Sequence, residues 1–310
     1  MAIFSIVFLK IVSVLLSVII GFLAGRWSKV DRDSIASLLF YFISPIVFFS
    51  IPCSTTLSFS SLSIALVTFL ISTGLCCFAY KLFSTYWQDD TRNILAMSAG
   101  TGNSGYFMLP IAAALFDDYT LSIYMMAAIG VSLYESSVGY YICAKSITST
   151  KESIIKVLKL PMLNAFALGC ILSFSGITLP DFLDDFTYNM RSCFSILGMI
   201  MIGLGLSTVR KFEVDTQFTC AAFISKFLFF PAAVNIFILF DRYLLHWYDD
   251  NYYDALQLLS VAPMAANTIV IASIWKFNAE KVATTVLLSL MFALFYIPLM
   301  ASLFIRDIGS

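Results

Sequence analysis

The stretch Gly100-Thr-Gly-Asn-Ser-Gly-Tyr-Phe-Met-Leu-Pro110 interrupts a long apolar run with glycines, an asparagine and a proline. A second apolar run is interrupted by Ala262-Pro-Met-Ala-Ala-Asn267. Proline and clustered glycines break a helix and leave backbone N–H and C=O groups without helical partners. Lipid cannot satisfy such groups, so breaks of this kind persist in a membrane only where they are buried in protein or line a polar cavity. The two stretches therefore predict a cavity within a membrane protein.

The composition requires a membrane environment. Of 310 residues, 60% are hydrophobic and only 12% are charged, which is too apolar for a soluble domain of this length. Apolar runs long enough to cross a hydrocarbon core of about 30 Å predict an all-α protein with ten spans: 3–25, 34–52, 61–83, 92–116, 119–143, 161–178, 188–208, 216–240, 252–275 and 279–305. The two breaks fall in the fourth and ninth spans.

The distribution of basic residues predicts the orientation. Of the 18 Lys and Arg residues, thirteen lie in the links that follow odd-numbered spans or at the span ends beside those links: Arg26, Lys29, Arg32, Lys81, Arg92, Lys145, Lys151, Lys156, Lys159, Arg210, Lys211, Lys276 and Lys281. The other links hold only Arg191 and Arg242. The positive-inside rule then places the odd links in the cytoplasm and both termini outside, in a multi-pass protein of the cytoplasmic (inner) membrane. A net charge of -1 gives no basic surface for nucleic acid.

The spans form two matching halves. A shift of about 158 residues aligns spans one to five with spans six to ten. Because five is odd, the halves, 1–143 and 161–310, are predicted to be inverted relative to each other. The amphipathic linker between them, 144–160, is expected on the cytoplasmic membrane surface. Inverted repeats with interrupted helices at corresponding positions are typical of secondary transporters.

Motifs for other chemistry are missing from the sequence. The seven cysteines and the single histidine, His246, have no metal-ligand spacing. There is no nucleotide-binding loop and no Ser/His/Asp set, so we expect no cofactor, no metal centre and no enzyme.

One of the interruptions resembles a known family. Gly102-Asn-Ser-Gly-Tyr-Phe-Met-Leu-Pro-Ile111 is similar to the Gly-Asn-Thr-Gly-Tyr-x-Gly-Leu-Pro-Ile stretch of auxin efflux carriers, a family that includes plant auxin exporters and bacterial malate and malonate permeases. Further similar pieces are Leu160-Pro161, Leu179-Pro180, Pro263-x-x-x-Asn267, and Thr284-Thr-Val-Leu-Leu-Ser289 with Pro298. Met108 departs from the pattern, which often has glycine there. The resemblance implies an elevator-type mechanism in which spans one, two, six and seven form a scaffold and broken spans four and nine cross at the substrate.

The candidate substrate site comprises the residues of the two interruptions: Thr101, Gly102, Asn103, Ser104, Gly105, Tyr106, Pro110, Pro263, Asn267 and Thr268. Half-helix N-termini at a break present N–H donors and a partial positive charge, which suits a carboxylate. We therefore expect a small organic anion as the substrate. Asn103 and Asn267 are expected to face each other across the crossing.

Two ionisable residues, Glu135 and Lys226, lie near the middle of the fifth and eighth spans. A bare charge at that depth is unfavourable and usually pairs or lines a cavity. The two residues are expected either to pair with each other or to form a coupling site in which Glu135 takes up a proton. The alternatives are a purely structural buried pair or two separate residues that snorkel to the membrane interface.

Other function classes stay open at this point. A sodium-coupled symporter of the bile-acid type shares the inverted five-span plan, and Thr101, Ser104 and Thr268 could supply oxygen ligands to sodium. A non-transporting membrane sensor is a further alternative. Proton and sodium are both candidate coupling ions, and a homodimer is an open alternative for assembly.

Overall fold

The computed structural model describes residues 2–28, 30–53, 59–144, 159–177, 179–207, 214–274 and 279–305, with positions 151, 155 and 277. This part of the chain is helical throughout and contains no strand, which confirms the predicted all-α class. The predicted linker at 144–160 lies almost entirely outside the described residues.

The described part of the first half contains eight α-helices. They are α1 Ala2–Trp27, α2 Arg32–Leu38, α3 Ser44–Cys53, α4 Phe59–Phe83, α5 Thr91–Gly100, α6 Leu109–Leu115, α7 Asp118–Tyr134 and α8 Tyr140–Ala144. A π-helical turn, Leu39–Ile43, joins α2 to α3, and another, Glu135–Gly139, joins α7 to α8. Helices α2–α3 and α7–α8 therefore run as two continuous helical segments.

The described part of the second half contains seven more helices. They are α9 Pro161–Phe174, α10 Asp184–Ser207, α11 Thr216–Ile224, α12 Phe230–Phe240, α13 Asp250–Ser260, α14 Asn267–Ile274 and α15 Ala279–Phe304. A 3₁₀ turn, Asp181–Leu183, precedes α10. The π-helical turns Ser225–Phe229 and Asp241–Leu245 follow α11 and α12 and keep that segment continuous.

Seven helical segments of the described chain are long and apolar enough to cross a membrane: Ile3–Trp27, Asp33–Cys53, Phe59–Phe83, Asp118–Cys143, Asp181–Ser207, Thr216–Leu245 and Ala279–Phe304. Each matches a predicted span to within a few residues, except that Asp181–Ser207 begins several residues before the predicted span 188–208. The predicted sixth span is the shorter apolar helix α9. The predicted fourth and ninth spans are each divided into two short helices.

Aspartates mark the starts of several helices. The side chains of Asp31, Asp117, Asp215 and Asp249 each accept hydrogen bonds from backbone N–H groups two or three residues further on. N-capping of this kind satisfies N–H groups that have no partner inside the helix. Pro161 lies in the first turn of α9, where its missing N–H and fixed φ suit a helix start.

The first two predicted spans of each half pack against those of the other half. Helix α1 lies along α10, and α3 lies along α9. At the first of these crossings, a Cβ added to Gly203 would clash with the backbone oxygen of Val18. Small residues allow the close helix contact by which membrane helices associate without a hydrophobic driving force.

Apolar side chains are exposed on the outer surface, and some polar side chains are buried. Large apolar side chains such as those of Leu9, Ile20 and Ile236 are exposed, as expected of a surface in contact with lipid. Lys226 and Asp241 are completely buried. The Asp241 carboxylate accepts hydrogen bonds from two backbone N–H groups and from the Tyr253 hydroxyl at 2.8 Å, so this buried charge is well satisfied.

Candidate functional site

The two interruptions touch each other through their main chains. The backbone N–H of Asn103 donates to the carbonyl oxygen of Pro263 at 2.9 Å. Beside this bond, a Cβ added to Gly102 would lie 3.2 Å from the Cβ of Ala262. The missing side chain of Gly102 therefore allows one interrupted helix to lie directly against the other.

The first interruption is held by its own asparagine. The Asn103 side-chain oxygen accepts from the N–H of Phe107 at 3.2 Å, and its backbone oxygen accepts from the N–H of Met108 at 3.1 Å. The Tyr124 hydroxyl donates to the Ser104 carbonyl at 2.7 Å. The Asn103 amide nitrogen is buried and has no hydrogen-bond partner among the described residues. Most polar groups of this turn are therefore used inside the protein.

The second interruption directs its asparagine outward. Helix α13 ends at Ser260 and α14 begins at Asn267. Between them, the N–H of Met264 donates to the Ser289 hydroxyl at 3.2 Å. The Asn267 side chain is exposed, and its amide donates to the Glu135 carboxylate at 2.6 Å. Asn267 thus links the second interruption to the π-helical turn at Glu135–Gly139.

A cavity of about 750 Å³ lies where the interruptions meet. It is lined by residues 102–106 and 265–267 together with Glu135. Aromatic rings of Phe40, Tyr41, Phe48 and Phe194 supply much of the remaining wall. The only charged side chains among the described lining residues are the carboxylates of Asp33 and Glu135. The cavity is therefore mainly apolar, with polar groups where the two interruptions meet.

The structure divides the predicted site residues into two groups. The cavity is lined by Gly102, Asn103, Ser104, Gly105, Tyr106, Asn267 and Glu135. It is not lined by Thr101, Pro110, Pro263, Thr268 or Lys226. Thr101 and Thr268 are completely buried, and within the described chain neither hydroxyl has a hydrogen-bond partner. Pro110 lies in the first turn of α6.

Glu135 and Lys226 have separate partners in this structure. Glu135 accepts from Asn267, whereas the Lys226 ammonium donates to the Thr101 carbonyl at 2.7 Å and lies 3.9 Å from the centre of the Phe230 ring. The direct pair, one of the two predicted alternatives, is not formed here. Both residues lie in π-helical turns, a feature often found at functional sites.

The wall opposite the interruptions contains residues that the sequence did not indicate. Phe194 of α10 lies 4.7 Å from the Tyr106 ring, centre to centre. The same Tyr106 ring packs against Gly198, where an added Cβ would clash with it. Asp33 of α2 and Tyr140 of α8 also line the cavity. The spacing of apolar residues gives no sign of these contacts, because it does not specify which faces of two distant helices meet.

Comparison with known proteins gives the family. Residues 6–152 match the model of a family described as membrane transport protein. This family is of the auxin efflux carrier type, and the match covers just under half of the chain. An uncharacterized transporter of Methanocaldococcus jannaschii is 22% identical over 302 residues, which cover 92% of this chain and 96% of the relative. The predicted family is therefore confirmed, and the apolar helices belong to an integral membrane transport protein.

Proposed function

We propose that this protein is a secondary active transporter that moves a small organic anion, such as a carboxylate, across the cytoplasmic membrane by alternating access. The observation that carries the proposal is the cavity at the crossing of two interrupted helices, with Asn267 and Glu135 on its wall. Transporters of this architecture bind their substrates at sites formed by interrupted helices. The family match supports the transport function.

The proposed architecture has ten spans in two inverted halves. Helix α9 and the interrupted pairs α5–α6 and α13–α14 would add three spans to the seven long ones. The packing of α1 on α10 and of α3 on α9 supports the inverted repeat, because these two contacts would be equivalent under exchange of the halves. In this arrangement the scaffold comprises spans one, two, six and seven, and the interrupted spans move with the substrate.

The residues at one end of the cavity support an inward-open state, in which the cavity opens to the cytoplasm. Asp33, Tyr140, Leu160 and Met162 line the cavity near the ends of their predicted spans. The links beside these residues carry the excess of Lys and Arg that the positive-inside rule assigns to the cytoplasm. Under the proposal the substrate would exchange with the cytoplasm in this state, and both termini would lie outside.

An anion would be bound here by dipoles rather than by an ion pair. The N-terminus of α14 begins at Asn267 on the cavity wall, and its partial positive charge favours an anion. The Lys226 ammonium lies behind Gly102, because a Cβ added to that glycine would be only 2.7 Å from the Lys226 nitrogen. This arrangement would give a positive potential at the crossing without exposing a basic side chain. The aromatic wall would contact the apolar body of the substrate.

Glu135 would carry the coupling proton. An ionised Glu135 beside a bound carboxylate would be strongly unfavourable, because two unit charges about 4 Å apart repel by about 4 kcal/mol at an effective dielectric constant of 20. Anion binding and protonation of Glu135 are then linked. The Asn267 amide holds one carboxylate oxygen of Glu135, and the other oxygen would accept the proton.

Flux measurements in proteoliposomes test the proposal. Malate, malonate and a panel of other carboxylates are offered at several pH values while proton movement is followed with a trapped pH dye. We expect at least one carboxylate to move with protons in the wild type. Glu135→Gln keeps an acceptor for Asn267 but has no site to titrate, so flux should fall about tenfold or more and proton movement should stop.

Glu280→Gln is the matched control, since Glu280 lies in the first turn of α15 and does not line the cavity. It should transport like the wild type. If the pH profile of flux is unchanged in Glu135→Gln, Glu135 does not carry the coupling proton. If no carboxylate is transported, the proposed anion substrate is rejected.

A further inference from the structure

The buried lysine lies at the C-terminal end of an interrupted helix. Helix α5 ends at Gly100, Thr101 caps it in an extended conformation, and the Thr101 carbonyl accepts from the Lys226 ammonium at 2.7 Å. The C-terminal end of a helix carries a partial negative charge. In transporters with interrupted helices, such ends and the unwound carbonyls beside them bind the coupling cation. The ammonium of Lys226 occupies that position here.

Two groups stabilise the charge of the ammonium in this buried position. Its nitrogen lies 3.9 Å from the centre of the Phe230 ring, within the range of a cation–π interaction. Among the described residues, no carboxylate oxygen lies within 4.0 Å of it. Lys226 is completely buried, so carbonyl and ring replace water around the charge. The protein supplies this cation from its own chain.

We propose that Lys226 is a tethered cation that takes the place of a metal coupling ion at the crossing, so that transport does not require sodium. A sodium ion would need the Thr101 carbonyl as a ligand, and that oxygen already accepts from Lys226. A second cation beside a buried ammonium would also be repelled. The inference rests on the proposed transport function but does not depend on which substrate is carried.

Removal of the ammonium should reveal a cation site. A smaller neutral residue at position 226 would leave the Thr101 carbonyl facing an unfilled space. The hydroxyl of the same residue, Thr101, is also buried and has no hydrogen-bond partner in the described chain. Oxygen atoms of carbonyl and hydroxyl groups are the ligands that hard cations prefer. Lys226→Ala is therefore expected to bind sodium or lithium where the wild type does not.

Thermal unfolding of purified protein tests this without any substrate. Wild type, Lys226→Ala and Lys226→Met are unfolded in sodium chloride and in choline chloride at equal ionic strength. We expect the wild-type Tm to be the same in both salts. Lys226→Ala should be stabilised by sodium by about 2–4 °C. Lys226→Met, which fills the space with a neutral chain, should be less stable than the wild type and should not respond to sodium.

Transport in the same two salts gives the second readout. Wild-type flux should be equal in both, and Lys226→Met flux should be about tenfold lower at matched protein abundance, since a charge-assisted hydrogen bond at the crossing is lost. The inference is overturned if the wild type needs sodium for transport or is stabilised by it, or if Lys226→Ala is insensitive to sodium. If Lys226→Ala does not fold, the comparison of wild-type flux and Tm with and without sodium still tests the inference, because it needs no variant.

The two proposals can fail separately. If the wild type moves no carboxylate, the proposed anion substrate is rejected. The tethered-cation proposal still stands if sodium stabilises Lys226→Ala but not the wild type in thermal unfolding. If the wild type moves a carboxylate only in the presence of sodium, the proposed anion substrate is supported and the tethered-cation proposal is rejected.

Discussion

The two interrupted helices use the same residue type in different ways. Asn103, only 3% exposed, lies inside its interruption and holds the turn through Phe107. Asn267 is the first residue of α14 and extends into the cavity to Glu135. The difference follows from where each asparagine lies relative to the break. An asparagine within the loop can satisfy freed backbone groups, whereas one at the helix start can face a ligand or a coupling group.

The helices that lead into the interruptions also differ in how tightly they are packed. A Cβ added to Gly100, the last residue of α5, would clash with the backbone oxygen of Ser72 and would lie 2.6 Å from the Tyr134 ring. The position before the second interruption is Ser260 of α13, which already carries a side chain. The entry to the first interruption is therefore packed too closely to accept a side chain, whereas the entry to the second carries one.

The largest effect is expected from Gly100→Ala. A backbone oxygen cannot move away as a flexible side chain can, so overpacking here should destabilise the protein by about 1–3 kcal/mol. Gly74→Ala is the matched control, because Gly74 also lies in a helix but has nothing within 4 Å of an added Cβ. Fluorescence-detected size-exclusion chromatography should show much less folded Gly100→Ala than Gly74→Ala. Equal amounts of folded Gly100→Ala and Gly74→Ala would show that the entry to the first interruption can accept a side chain.

An intermediate effect should separate the two asparagines. Asn103→Ala removes the acceptor for the Phe107 N–H and should lower stability by about 1 kcal/mol, or Tm by about 2–4 °C. Asn267→Ala should leave Tm nearly unchanged, because water in the cavity can replace the amide beside Glu135. Its flux should fall and the pH dependence of flux should change. The comparison fails if Asn267→Ala is the less stable protein, and wild-type flux in both variants would remove both residues from the substrate site.

The positions of the helices were largely predictable from the sequence, whereas their rotations were not. Apolar length and proline or glycine interruptions placed both divided spans, because these signals are local. The partners of Glu135 and Lys226 depend on how each helix is turned about its own axis. The π-helical turns at Glu135–Gly139 and Ser225–Phe229 change that rotation without changing the apolar pattern. A pair between the two charges was therefore a reasonable prediction that this structure does not contain.

The cavity wall shows the same limit. Phe194 and Gly198 contact Tyr106 from a helix that is almost 90 residues away in the sequence. A glycine within a span indicates close contact but does not identify the neighbour. The resemblance to auxin efflux carriers indicated the loop at Asn103 because that loop carries the motif. It gave no such indication for Phe194 and Gly198, since none of the matching pieces lies in α10.

The smallest effect concerns Asp215, which fixes the start of α11 in the second half. The N–H of Phe218 and, to a lesser degree, the Lys281 ammonium at 3.0 Å hold the pKa of this carboxyl below its usual value. A lowered pKa stabilises the folded state above the unfolded value of about 3.9, and this stabilisation is lost as pH falls through the folded pKa. Asp215→Asn keeps a capping side chain but loses the charge. At neutral pH it should therefore cost less than about 1 kcal/mol, since the ion pair is partly exposed.

Asp117→Asn allows the helix start in the first half to be compared with the one in the second half. The pKa of Asp117, at the start of α7 in the first half, is also lowered, first by the N–H and then by the hydroxyl of Thr120. We expect the Tm difference between wild type and Asp215→Asn to persist down to about pH 4 and to vanish below it. High salt should reduce the lysine-dependent part of the Asp215 effect more than it reduces the Asp117 effect. A salt response of equal size in both variants would mean that helix capping alone fixes these two helix starts, and that Lys281 adds nothing to the second half.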